Sequence, residues 1–160
     1  MLAQTPVQIA WVTRDLDATE HALTTLLGAK KWVRIPDVHF APDACTFRGE
    51  PADFVASISL SYAGDTQLEL IAPVSGRSVY TEFLDTAGPG LHHICVEKSS
   101  VEEFDGAVAG AEEVVAQGVM PGGMRFAYVA APAAGVPYVE IAYIPAEIKA
   151  FFEYIKQEQK

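Results

Sequence analysis

The chain has 160 residues, half of them apolar and a fifth charged, which is enough to bury a core and excludes disorder as the dominant state. A formal charge of −10, from 11 basic and 21 acidic side chains, argues against nucleic acid phosphates and anionic membrane surfaces and leaves a small molecule or a protein as partner. Cys45 and Cys95 are too few and too widely spaced for a disulfide framework or a thiolate metal site, so both read as free thiols in a reducing cytoplasm.

Met1 to Gln8 lacks a basic segment followed by an apolar one, and no run is long enough to cross a bilayer, so a cytoplasmic location is expected. Pro6 to Thr13 alternates and is rich in Val, Ile and Trp, predicting a strand with Gln8, Ala10 and Val12 on one face. Asp15 and Asp17 offer N-cap carboxylates for a helix over Ala18 to Leu27 that stops at Gly28. Lys31 to Ile35 reads as a second strand, and Pro36 to Asp53 as a long connection of the kind that covers a site. Phe54 to Tyr62 and Thr66 to Ala72, joined by Ala63-Gly64-Asp65, read as a hairpin with Gln67, Glu69 and Ile71 on one face. A short amphipathic piece over Val79 to Leu84 leads to the Gly88-Pro89-Gly90 break.

The second half repeats this order. It predicts a strand over Leu91 to Glu97, a helix from Ser100 to about Ala111, a strand over Val114 to Val119, and a hairpin of Met124 to Ala130 with Val136 to Tyr143. The reading is therefore an α+β fold of two sequential βαβββ modules, near residues 1–73 and 90–144, forming one curled-sheet domain across 1–160. Helical spacing of Ile148, Phe151, Phe152 and Ile155 after Pro145 predicts an appended amphipathic helix at about 145–158, packed on the domain or on a second subunit. Its Phe151-Phe152 pair makes a homodimer the expected assembly.

Four residues stand out chemically. His92 and His93 follow each other on a strand, so alternation puts Leu91, His93 and Cys95 on one face and His92 with Ile94 on the other. Glu69 and Glu140 are single acids set in apolar strands, and an unpaired buried carboxylate costs several kcal/mol, of the order that would unfold a marginal domain. Taken singly, each acid also fits a solvated sheet face, and a lone histidine also fits a hydrogen-bonded core. Taken together, Gln8 and His93 start their repeats, while Glu69 and Glu140 hold the same place on the last strands. If these strands share a cleft, one imidazole, two carboxylates and an amide oxygen form an N/O donor set for one divalent metal: Zn, Ni, Co, Mn or Fe. Arg14, Arg34, Arg48 and Arg125 are candidates to meet an anionic substrate but read better as surface residues.

The pattern of Gln8 with Asp15-Leu16-Asp17, the strand Gln67 to Pro73, the run Gly90-Leu91-His92-His93-Ile94 and the segment Gly135 to Ile141 resembles the glyoxalase/bleomycin resistance/extradiol dioxygenase group, the vicinal oxygen chelate superfamily. Within it, the chain is most similar to methylmalonyl-CoA epimerases and their glyoxalase-like relatives. The resemblance implies paired βαβββ modules around a cleft, with Gln8, Glu69, His93 and Glu140 on metal-ligand positions and Glu140 as the proton-moving residue. Gln8 departs from the His usual in such epimerases, and the further catalytic Glu of that family has no clear counterpart, Glu50 and Asp53 being the nearest acids. The implied activity is that of a metal-dependent isomerase, epimerase or lyase acting through an enolate on a small carbonyl or acyl-thioester substrate. The alternatives are an Fe(II) ring-cleaving dioxygenase and a metal-free protein that holds a planar apolar compound with Trp11, Phe126, Tyr128 and Tyr138.

Overall fold

The computed structural model describes residues 3–160; Met1 and Leu2, the start of the segment read for a leader, lie outside the described residues. Strands β1 (Pro6–Val12), β2 (Val33–Phe40), β3 (Cys45–Phe47), β4 (Glu50–Pro51), β5 (Phe54–Ala63) and β6 (Thr66–Ser75) form the first half. Strands β7 (Gly90–Lys98), β8 (Val114–Val119), β9 (Arg125–Ala130) and β10 (Tyr138–Tyr143) form the second. Helices α1 (Leu16–Leu27), α2 (Val79–Ala87), α3 (Val101–Ala109) and α4 (Ala146–Gln157) complete the chain. All strands join one sheet in the order β2-β5-β6-β1-β7-β10-β9-β8-β3-β4.

That order carries the repeat. Going outward from the central β1–β7 pair, one side reads β1-β6-β5-β2 and the other β7-β10-β9-β8, and β1 and β7 run antiparallel. The registers match as well, since Ala10 pairs with Glu69 and Cys95 pairs with Glu140. Gln8 and His93 each stand two residues before those partners. The equivalence of Gln8 with His93, and of Glu69 with Glu140, is thus a property of the hydrogen-bonded ladder.

Local chemistry explains the helix ends. Asp15 accepts from the Ala18 N–H, and Gly28, at φ 77°, closes α1 in the left-handed region where a side chain would be strained. Ser78 and Thr81 form a reciprocal capping box on α2, and Ser100 accepts from the Glu103 N–H on α3.

The connection predicted over Pro36 to Asp53 is shorter than expected, because β2 continues to Phe40. Pro36 does not end the strand; it sits in a bulge between Ile35 and Val38, where Asp37 takes a φ of 52° and the missing N–H of proline costs no ladder bond. The rest of the connection crosses to the other repeat, where β3 pairs with β8. Gly118 makes room for it, since a Cβ there would lie 2.6 Å from the Cys45 sulfur. The core follows the inner face of the sheet, with Phe40 stacked on Phe54 at 4.4 Å and Tyr80, Phe126 and Tyr128 packed beside them. A smaller cluster of Phe104, Ala127 and Ile141 joins α3 to the outer face.

Helix α4 folds back against β5 with Ile155 fully buried, and both phenyl rings line a cavity of the same chain. Part of the apolar face that suggested a homodimer is used inside the chain, and Phe151 and Phe152 stay half-buried. Among the described residues no helix is long and apolar enough to cross a membrane.

Candidate active site

Residues from β2, β5, β6, β9, β10, α2 and α4 line one cavity of about 290 Å³, which shows the sheet curling until strands far apart in its order face the same space. Its wall is apolar except for Glu69, Glu140 and the hydroxyls of Tyr80 and Tyr128. A second, more polar cavity of about 260 Å³ lies beyond Glu140 and is lined by Gln8, Gln67 and Tyr62. Glu140 borders both.

His93 lies beneath this junction with no exposed surface. Its Nε2 is 3.2 Å from Oε1 of Gln8, 3.5 Å from Oε1 of Glu69 and 3.7 Å from Oε2 of Glu140. The four candidate ligands therefore come together, although they are spread over more than 130 positions of sequence. Gln8 is itself held, because its Nε2 donates to Oε1 of Gln67 at 2.6 Å, and Nε2 of Gln67 donates to the Tyr62 hydroxyl at 3.2 Å. That network aims the amide oxygen of Gln8 at His93.

His92 does not face away. The β1–β7 ladder pairs Ala10 with His93 and Trp11 with Leu91, so His92 is the extra residue of a bulge. The bulge resets the alternation, turning both imidazoles inward and leaving Leu91 42% exposed. Nδ1 of His92 lies 2.8 Å from Nδ1 of His93, and rings of Tyr80, Phe83, Tyr128 and Tyr138 surround it. Simple period-two reading could not reveal this, since a bulge has no composition of its own.

Electrostatics follow from burial. Desolvation lifts the Glu69 carboxyl from its ordinary 4.5 to about 7. Desolvation also raises Glu140, with the neighbouring His93 imidazole opposing the rise and the Glu69 carboxylate adding to it. The same burial lowers His93, and lowers His92 further. The Tyr80 and Tyr128 hydroxyls, 2.6 Å apart, are pushed well above the usual phenol range and stay protonated.

Other candidates lie elsewhere. Glu50 is exposed on β4, and Asp53 pairs with His39 at 2.6 Å on the surface, so neither acid lines the cavity as a second base. Arg34 binds Asp17 and Glu20, Arg48 binds Glu82, Arg125 faces Asp105, and Arg14 donates to the Leu84 carbonyl. Phe126 and Tyr128 line the cavity, Tyr138 touches His92 behind it, and Trp11 is not in its wall. Tyr80 and Gln67 were not singled out from the sequence for the site. The periodicity of Gln67 with Glu69 held the clue for one of them.

Among the described residues His, Cys, Asp and Glu alone make no metal-binding group of three, so the Gln8 oxygen must be counted as a donor for a set to exist. Counted together, one imidazole nitrogen and three oxygens have the chemistry of a site for a borderline divalent ion.

The family model for the glyoxalase/bleomycin resistance protein/dioxygenase superfamily matches residues 7–128, about three quarters of the chain. The chain belongs to that superfamily. The matched span includes Gln8, Glu69 and His93 and stops short of Glu140. Comparison of the sequence with curated proteins returns no match. Among solved structures, methylmalonyl-CoA epimerase from Mycobacterium tuberculosis is 20% identical, with a TM-score of 0.60 over 94% of this chain and 97% of that one. A hypothetical protein from Bacillus halodurans C-125 is 17% identical, with a TM-score of 0.59 over 90% of this chain and 96% of that one. A variant of the Streptomyces coelicolor epimerase in complex with 2-nitronate-propionyl-CoA is 18% identical, with a TM-score of 0.60 over 91% and 97%. At these identities the likeness establishes the superfamily fold, and the chemistry has to be argued from the site.

Proposed function

We propose that this superfamily member is an isomerase, epimerase or lyase that removes and returns a proton beside a carbonyl group, with one divalent metal ion held by Gln8, Glu69, His93 and Glu140. The observation that carries the reading is the pair of buried carboxylates flanking Nε2 of His93 at the edge of an apolar cavity. When bound, the ion would supply a positive charge that stabilises the developing enolate. The chain's own residues supply the rest. Glu140, in contact with the cavity and raised by burial, takes the proton from carbon and gives it back. Tyr128 stands beside Glu140 in the cavity wall, and its hydroxyl is fixed by that of Tyr80 at 2.6 Å. The apolar wall excludes water that would otherwise quench the carbanion.

Several of the similar structures are methylmalonyl-CoA epimerases, one of them in complex with methylmalonyl-CoA and NH4+, which supports this class of chemistry. A metal-free protein that holds an apolar compound is the second reading, favoured by the apolar cavity wall. A ring-cleaving dioxygenase fits less well, since such sites ask for two His ligands and this donor set holds one. Metal analysis of protein purified without chelator, combined with deuterium uptake at the carbon beside the carbonyl of an acyl thioester in D2O, tests the proposal. Bound metal with uptake supports it. Uptake absent across acyl and keto substrates, with a ligand still bound, would favour the binding protein.

A further inference from the structure

We infer that the group carried on the reacting carbon is uncharged and apolar, an aryl or branched alkyl substituent rather than a carboxylate. This deepens the proton-transfer reading and rests on it. Three observations carry it. First, the cavity facing Glu69 and Glu140 is walled by aliphatic and aromatic side chains from the whole curl of the sheet, among them Ile58, Leu60, Met120, Phe126 and Phe151. Second, among the described residues no Arg, Lys or His lines that wall, so a carboxylate carried into it, away from the ion that Glu69 and Glu140 would help to hold, would meet no basic side chain. An unpaired charge in such a space costs several kcal/mol. Third, the basic residues nearest the site are elsewhere and engaged. Lys149 and Lys156 line the polar cavity on the far side of Glu140, paired with Glu97 at 2.5 Å and Asp65 at 2.7 Å.

The two cavities therefore divide the labour. The polar one, opening beside Gln8, Gln67 and Lys149, suits the polar tail of a thioester or ketone. The apolar one, bordered by Phe151 and Phe152 of α4, suits the substituent. Its size, about 290 Å³, is at the low end of small-molecule pockets, which run from roughly 300 to 1,000 Å³, so it has room for an aryl ring or a branched alkyl chain. The reaction is conserved in atoms and charge. The C–H bond beside the carbonyl breaks, its electron pair becomes the C=C bond of the enolate while the carbonyl π pair moves to oxygen, the proton goes to one of the two cavity carboxylates, and a proton returns to the opposite face of the same carbon from the other.

A matched pair of probes separates the outcomes: the N-acetylcysteamine thioesters of 2-phenylpropionic acid and of methylmalonic acid, identical except for phenyl in place of carboxylate. Binding is measured by calorimetry, and exchange of the α-hydrogen in D2O by NMR, on metal-loaded protein. Binding and exchange of the phenyl probe at least tenfold better than the carboxylate probe is the expected result. Equal or better exchange of the carboxylate probe would overturn the substrate class while leaving the proton-transfer reading standing. Tighter binding of the phenyl probe without exchange from either would uphold the substituent class and overturn the reaction. Binding of neither probe would overturn the inference. Met120→Lys, a half-buried position in the wall, should shift the preference toward the carboxylate probe at least tenfold, and an unchanged preference would count against the cavity as the selecting element.

Discussion

His92 and His93, neighbours in the chain, hold their Nδ1 atoms 2.8 Å apart, one ring donating to the other. The contact leaves Nε2 of His93 facing Gln8, Glu69 and Glu140, and leaves Nε2 of His92 buried with no partner among the described residues. A buried unpaired group costs about 1–3 kcal/mol. The fold tolerates that cost at the place where it orients the central imidazole.

Metal affinity should separate the two histidines. His93→Ala should abolish most binding of Zn²⁺ or Ni²⁺ in calorimetric titration, because it removes the only nitrogen donor of the set. His92→Ala should weaken binding about 10- to 100-fold by freeing the His93 ring. A His93 variant that binds as well as the parent would sink the four-residue site.

Glu140→Gln separates coordination from proton transfer. An amide oxygen can still bind a metal but cannot take a proton, so metal content should persist. Deuterium exchange into a thioester should fall by about 10²–10⁴-fold. Parallel loss of metal and exchange would assign Glu140 to the metal alone.

The tyrosine pair should behave as a unit. Tyr128→Phe takes its partner from the Tyr80 hydroxyl, a residue only 2% exposed, and should cost about 1–3 kcal/mol in urea unfolding. Replacing both tyrosines by Phe removes donor and acceptor together and should recover much of that loss.

Stability of the metal-free protein should depend on pH through Glu69. Its carboxyl is lifted from 4.5 to about 7, so the folded state keeps a proton that the unfolded chain releases. The parent's stability from this group is full below pH 4.5, declines as pH rises, and is lost above about pH 7. The lowered His92 and His93 act oppositely, destabilising the fold as pH falls below their ordinary 6.5. Glu69→Gln isolates the carboxylate contribution. It should stabilise the fold relative to the parent above pH 7 and not below 4.5, by up to about 3 kcal/mol, as read from denaturant midpoints across that range. A difference that does not change with pH would rule out the raised carboxyl.

What the sequence determined was whatever depends on local period and local chemistry. Alternation located eight of the strands, helical spacing with Asp15, Ser100 and Gly28 located α1 and α3, and the repeat made Gln8 equivalent to His93 and Glu69 equivalent to Glu140. Those features were legible because each is fixed by residues within one or two turns or strand steps of each other. Tertiary structure decided the rest. The bulge at His92 arises from how β7 meets β1, so alternation alone assigned its ring to the wrong face. The strands β3 and β4 form because β8 offers an edge with Gly118 at the point of contact, an event seventy residues away in sequence. Helix α4 borders the cavity because β5 leaves an apolar surface for Ile155 and the phenyl pair, which the helix's own sequence could equally have presented to a second subunit. A sequence carries its faces, but which surface covers each face is settled only when distant segments compete to bury it.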